Sequence, residues 1–152
     1  MMSLRHRRDL EATTSPSADS QADTGHKHRG PVGGMQVLCA SADARTHDLV
    51  REALTGAHVT AASTGGEALA RFNDDCFDAY VIDYCLPDWS GVSFCREIRK
   101  SDRHALICVY ARSRRTDLKE RAVRAGADAF LTVPIGPRRF RAEIEKLLRA
   151  KR

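Results

Sequence analysis

Tyr80-Val-Ile-Asp83-Tyr-Cys-Leu-Pro87-Asp-Trp-Ser-Gly91 is the stretch that decides the fold. An apolar run stops on a carboxylate, a proline turn follows, and a glycine opens a segment whose Val92, Phe94, Cys95 and Ile98 recur at helical spacing. A strand that reads as a continuous apolar run is covered on both faces, which is the habit of parallel sheets. Working outward, the same unit repeats. Further buried runs lie at Gln36 to Ala40, His58 to Ala62, Leu106 to Tyr110 and Ala129 to Leu131. Between them Leu49, Val50, Ala53 and Leu54, then Ala68, Leu69 and Phe72, mark helical faces, and Arg138 to Arg149 sets Phe140, Ile144, Leu147 and Leu148 on one stripe. Gly56, Gly91 and Gly126 punctuate the pattern. Five strands alternating with five helices predict an α/β fold. Right-handed crossovers and short connections reduce it to a doubly wound (βα)5 parallel sheet in the order 2-1-3-4-5. In that fold ligands sit outside the carboxyl ends of the strands, which directs attention to Ser41 to Asp43, Asp83 to Asp88, Tyr110 to Arg112 and Thr132 to Pro134.

The totals are those of one globular domain. The chain has 152 residues, 42% hydrophobic and 30% charged, enough for a single substantial core. No run approaches the roughly 20 apolar residues of a membrane helix, and the start lacks the apolar block of a secretory signal. The expected location is the cytoplasm, with no membrane partner. Five cysteines, Cys39, Cys76, Cys85, Cys95 and Cys108, form no CxxC pair, which argues against a disulfide frame or a zinc site. A redox role for Cys85 or Cys95 weighs less than their use as small core filler.

Residues 1–34 are rich in Ser, Thr, Asp, Arg and His and end in Gly30, Pro31, Gly33 and Gly34. They are expected to form a disordered tail ahead of a domain spanning 35–152. Within the tail, Arg5, His6, Arg7 and Arg8 read as a solvated basic run, and His26, Lys27 and His28 carry little weight as a metal site.

The resemblance lies in two ordered segments, Tyr80 to Gly91 and Arg124-Ala-Gly-Ala-Asp128-Ala-Phe-Leu-Thr-Val-Pro134. Together they are similar to the receiver domain of bacterial response regulators, over roughly residues 35 to 150. The resemblance implies a flavodoxin-like, CheY-like fold, a role in two-component phosphorelay signalling and no enzymatic turnover of its own, with Asp83 at the phospho-acceptor position. In that family the acceptor takes a phosphoryl group from a kinase histidine beside a magnesium ion, whose positive charge shields the approaching anions.

Most of the supporting groups that the resemblance implies are replaced. Ser41 and Ala42 stand where an acidic pair would hold the metal, and Asp43 comes one place late, where it reads as a helix N-cap. Tyr110 stands in place of a Ser or Thr, and Val133 in place of a lysine. Phe130 keeps the position of the switch aromatic. The losses are consistent with one another, because a lone carboxylate needs no lysine to balance it in a partly desolvated cleft. The expected state is an atypical pseudo-receiver with no required cofactor. Weak Mg²⁺ binding would rest on Asp83 and Asp43 alone. One further expectation is that Tyr110 blocks an inward rotation of Phe130 and donates its hydroxyl to Asp83.

Charge is polarised along the chain. Met35 to Ala111 carries 7 Lys/Arg against 11 Asp/Glu, a net of −4, whereas Arg112 to Arg152 carries 13 against 5, a net of +8. Arg114, Arg115, Lys119, Arg121, Arg124, Arg138, Arg139, Arg141, Lys146 and Arg149 fall on the fourth helix, fifth strand and fifth helix, the face that family members use for dimerisation and effector contact. An acidic protein partner follows: a histidine kinase, an effector, another regulator or a second copy. The alternative is a phosphorylatable single-domain regulator that accepts a phosphoryl group at Asp83 with Mg²⁺. Nucleic-acid binding by the basic half ranks last, since no helix-turn-helix pattern follows and no aromatics interleave with the arginines.

Overall fold

The computed structural model describes residues 33–151, so the tail expected over residues 1–34 lies almost wholly outside the described residues. Five strands and five helices alternate: β1 Gln36–Ala40, α1 Ala44–Ala53, β2 His58–Ala62, α2 Gly65–Asp74, β3 Ala79–Asp83, α3 Gly91–Ser101, β4 Leu106–Ala111, α4 Thr116–Arg124, β5 Ala129–Thr132 and α5 Pro137–Ala150. The strands form one parallel sheet in the order β2-β1-β3-β4-β5, as the sequence predicts. β4, β5 and α5 run slightly past the expected ends. Thr132 still pairs with Ala111, and Pro137, which needs no amide partner at a helix start, begins α5.

Burial explains why the strands look alike in sequence. Every residue of β3 and β4 is buried, whereas β5 at the sheet edge is half-buried throughout. Leu38, Tyr80, Ile82, Ile107 and Val109 point to one face, covered by α2, α3 and α4 through Phe72, Phe94, Ile98 and Ala122. Val37, Cys39, Val81, Cys108 and Tyr110 point to the other, covered by α1 and α5 through Val50, Phe140 and Ile144. Each such aliphatic or aromatic side chain contributes about 1.5–3 kcal/mol by leaving water. The buried thiols of Cys39 and Cys108 are pushed up to about 12 and that of Cys95 to about 11, all chiefly by burial, which keeps them inert as core filler.

Local chemistry sets the helix ends. Asp43 caps α1, Thr64 caps α2 and Ser90 caps α3, each accepting from an amide of the first turn. Gly126, just past α4, has a φ of 112°, a left-handed conformation that a side chain would strain. Beneath it, Arg99 donates to the carbonyls of Gly126, Asp102 and Ala105 and pairs with Asp128 at 2.9 Å. Asp128 also accepts from the Ile107 amide at 2.8 Å. This ties the ends of α3 and α4 to β4 at the edge opposite the carboxyl ends of the strands.

Candidate functional site

Parallel strands bring their carboxyl ends to one edge, and there Asp83 closes β3. Its side chain is buried, with the residue only 6% exposed. Oδ1 accepts from the Cys85 amide at 3.0 Å, and Oδ2 accepts from the Ser41 hydroxyl at 3.4 Å. Ser41 follows β1 and its Oγ in turn accepts from the Asp43 amide at 3.0 Å. The serine in the acidic position therefore steadies both the acceptor carboxylate and the next loop. Ala42 is exposed and offers no side-chain donor or acceptor.

The loop after β3 is held close to this carboxylate. Gly91 donates to the Tyr84 carbonyl at 2.9 Å, and a Cβ on Gly91 would collide with the Asp83 carbonyl, which is why the motif ends in glycine. Asp88 reaches across to α2, accepting from the amides of Gly65 at 2.7 Å and Gly66 at 3.0 Å. Those two hydrogen bonds hold its carboxyl below the usual range. Trp89 packs on Phe94, with ring centroids 5.6 Å apart, on the α2 side of the loop.

Asp43 is the N-cap of α1, as its position before a helix suggests. Its Oδ1 accepts from the Arg45 amide at 2.9 Å, and its oxygens also meet the Arg45 guanidinium at 3.3 Å. A second guanidinium completes the arrangement: Arg112, just beyond β4, donates to Asp43 Oδ2 at 2.6 Å and brings Nη1 to 3.9 Å from Asp83 Oδ2. Arg112 closes the Tyr110 to Arg112 stretch that the sequence marks for a ligand site, but sequence reasoning gives it no role there. Its signal was its place directly after a strand end, at the start of the strongly basic stretch Arg112 to Arg152.

This arrangement does not suit a magnesium ion. Mg²⁺ requires a near-ideal octahedron of oxygens. The acceptor carboxylate here has donors on both oxygens, Asp43 is held by two guanidinium groups, and the cationic Arg112 stands between the two carboxylates. Among the described residues no group of three or more His, Cys, Asp or Glu side chains converges as a metal site.

Two expectations about the aromatic positions are corrected. Tyr110 is fully buried, but it lies on the α1 and α5 face of the sheet, whereas Phe130 packs against the opposite cluster. The two cannot meet, because alternation along β4 and β5 sends them to opposite faces: Phe130 is paired with Val109, the neighbour of Tyr110. The aromatic that does meet Phe130 is Tyr84, edge-on with centroids 6.4 Å apart. The Tyr110 hydroxyl does not donate to Asp83. It lies beside the Ser41 and Thr46 hydroxyls and, with His47 Nε2, is a buried polar side-chain atom without an aligned partner among the described residues. Burial drives the phenol well above its ordinary value. Val133 is half-buried where a lysine was looked for, its amide bonded to the Ala111 carbonyl at 2.9 Å.

The basic face is also narrower than the sequence suggests. Arg114, Lys119, Arg121 and Arg124 are exposed on or before α4, and Arg114 and Arg139 share a cavity with Phe130 on the expected face. Arg115 is exposed but paired with Asp117 at 2.6 Å. Arg138 and Arg141 lie on the other flank of α5, lining a cavity with Glu52 and Ala53. There Arg141 pairs with Glu145 and donates to the Ala53 carbonyl, so it ties α5 to α1 and leaves the expected face.

Comparison with known proteins agrees with this fold. Residues 37–145 match the family model of the response regulator receiver domain. The uncharacterized transcriptional regulatory protein YrkP of Bacillus subtilis is 33% identical over 116 residues, 75% of this chain and 49% of that protein. TrcR, a transcriptional regulatory protein of Mycobacterium tuberculosis, is 31% identical over 125 residues, 80% of this chain and 48% of that protein. The chain thus spans about half the length of the curated relatives it matches. In fold it is similar to a CheY-like response regulator receiver domain protein from Methanospirillum hungatei JF-1, with a TM-score of 0.73 at 24% identity over 78% of this chain and 97% of that one. No helix among the described residues is long and apolar enough to cross a membrane.

Proposed function

The chain belongs to the response regulator receiver domain family, and on that premise we propose that it acts in two-component signalling mainly as a protein-interaction module, a pseudo-receiver whose Asp83 is phosphorylated feebly or not at all. The observation that carries this reading is the Arg112 guanidinium, 2.6 Å from Asp43 and 3.9 Å from Asp83. It sets one organic cation between the two carboxylates of the site. Removing one charge-stabilising donor from a transition state costs roughly a hundred- to a thousandfold in rate. Here the acidic pair, the alcohol and the lysine are all replaced, by Ser41 and Ala42, Tyr110 and Val133. No step of the proposal runs through Mg²⁺, and no catalytic turnover is assigned to the chain.

The proposed partner is a protein with an acidic surface: a histidine kinase, an effector, another regulator or a second copy of this chain. The exposed cations Arg114, Lys119, Arg121, Arg124 and Arg139 favour the flank formed by α4, β5 and α5. A cytoplasmic location belongs to the same proposal. Incubation with acetyl phosphate, with and without Mg²⁺, read by intact mass, tests the reading. The expected result is little or no gain of a phosphoryl group. A stoichiometric gain that disappears in Asp83→Asn would overturn it.

One observation favours a second reading, a phosphorylatable regulator. Asp83 keeps its place, and Arg112 is near enough to pair with an added phosphoryl group once Asp43 lets it go. In that case the same assay gives a phosphoryl adduct on the native chain and loses it in Arg112→Gln.

A further inference from the structure

Where β1, β4 and β5 end, the chain encloses a cleft of about 450 Å³, within the range of small-molecule sites and at the sheet edge where doubly wound folds bind ligands. Its wall is apolar: Leu49 from α1, then Val133, Pro134 and Ile135 from the segment after β5. Val133 makes that wall continuous, since a lysine there would set an ammonium group in it. The rest of the lining is polar and comprises Asp43, Arg45, Thr46 and Arg112. Asp83, buried beneath, does not line the cleft, so its lining holds two guanidinium groups against one carboxylate, a net of +1.

The guanidinium groups are only partly committed. A guanidinium has about five N–H donors. Among the described residues the Arg112 side chain gives one hydrogen bond and the Arg45 side chain gives two, all to Asp43. Both side chains are substantially exposed, Arg112 at 54% and Arg45 at 89%. Spare guanidinium donors beside apolar lining match a ligand that joins a planar two-oxygen anion to a hydrocarbon body.

We propose that this cleft is a binding site for a small organic carboxylate with an aryl or branched apolar body. The carboxylate pairs with Arg112 and Arg45, and the body lies against Leu49, Val133, Pro134 and Ile135. An inorganic anion lacks the body, and a neutral amide of the same shape lacks the charge, so both bind more weakly. The cleft shares Arg112 with the acceptor site, but Asp83 itself does not line it, and the proposal stands whether or not Asp83 accepts a phosphoryl group.

Methyl NMR of the full chain tests it, with phenylacetate and isovalerate as probes and phenylacetamide and inorganic phosphate as matched controls. The expected result is a saturable shift of the Leu49, Val133 and Ile135 methyl signals with at least one carboxylate, and binding at least tenfold weaker for both controls. Arg112→Gln should weaken the carboxylate at least tenfold, and Ile135→Glu should abolish the shift, with the Ile98 and Ile144 methyl signals in place to show that the core is intact. The proposal is overturned if neither carboxylate gives a saturable shift at these three residues, if phenylacetamide or phosphate binds as tightly, or if Arg112→Gln leaves the affinity unchanged.

Discussion

Arg112 and Asp43 stand 69 residues apart in sequence and 2.6 Å apart in the fold. The pair joins the loop after β4 to the cap of α1 across the end of β3, and so it closes the acceptor site from above. A guanidinium in this place gives the site a permanent positive charge with a fixed direction, unlike a metal ion, which comes and goes with its concentration.

The acid limb of the stability profile should report this pairing. The Asp43 carboxyl is held below its ordinary value of 3.8, first by the Arg45 amide, then by the Arg45 side chain, with Arg112 adding to it. A depressed carboxylate stabilises the fold above its unfolded value, and that contribution is lost as pH falls through the folded value. We expect the Arg45 amide signal to titrate with a midpoint below 3.8 and to move upward in Arg112→Gln. A midpoint at or above 3.8 in the native chain would contradict the geometry.

Arg99→Ala should destabilise the protein by about 2 kcal/mol, because it removes the hydrogen bonds to three backbone carbonyls and leaves Asp128 with only the Ile107 amide and Lys151. Arg99→Lys should recover little of this, since an ammonium cannot reproduce the planar fork. Urea midpoints with an unchanged slope are the measurement.

Tyr110→Phe should be neutral or stabilising by up to about 1 kcal/mol, because it removes a buried hydroxyl that has no aligned partner among the described residues. A loss greater than about 1 kcal/mol in thermal or urea unfolding would mean that the hydroxyl is satisfied, by the Ser41 or Thr46 hydroxyl beside it or through water. Tyr110→Thr restores the family's alcohol but empties a packed position, and we expect it to cost about 3 kcal/mol.

Gly91→Ala should cost roughly 1–3 kcal/mol, although alanine is the better helix former, because the new Cβ overlaps the Asp83 carbonyl. Chemical shifts of Asp83 and Tyr84 should move with it, while those of β5 stay in place.

The sheet order was legible because β3 and β4 are buried on both faces and carry nothing but apolar residues up to the site itself. That same uniformity hid the side-chain directions. With no polar alternation to mark a face, Tyr110 and Phe130 looked like neighbours, and only the register that pairs Phe130 with Val109 separates them. Asp43 was legible as a cap because capping is a local interaction. Arg112 was not legible as its partner, since an ion pair formed across three strand ends leaves no trace in spacing. Arg141 failed for a related reason: a charge on a helix looks solvated until its neighbour, here the Ala53 carbonyl, is known.

The hold of Asp88 on the first two amides of α2 has a mechanical consequence. The segment from Asp83 to Gly91 is anchored at one end by the sheet, at the other by the Gly91 amide on Tyr84, and in its middle by a helix on the far flank. A segment pinned at three points behaves as a strut. Through Asp88 a pull on the acceptor loop is borne in part by the first turn of α2, so the Gly65 and Gly66 amide signals should respond when that loop is displaced.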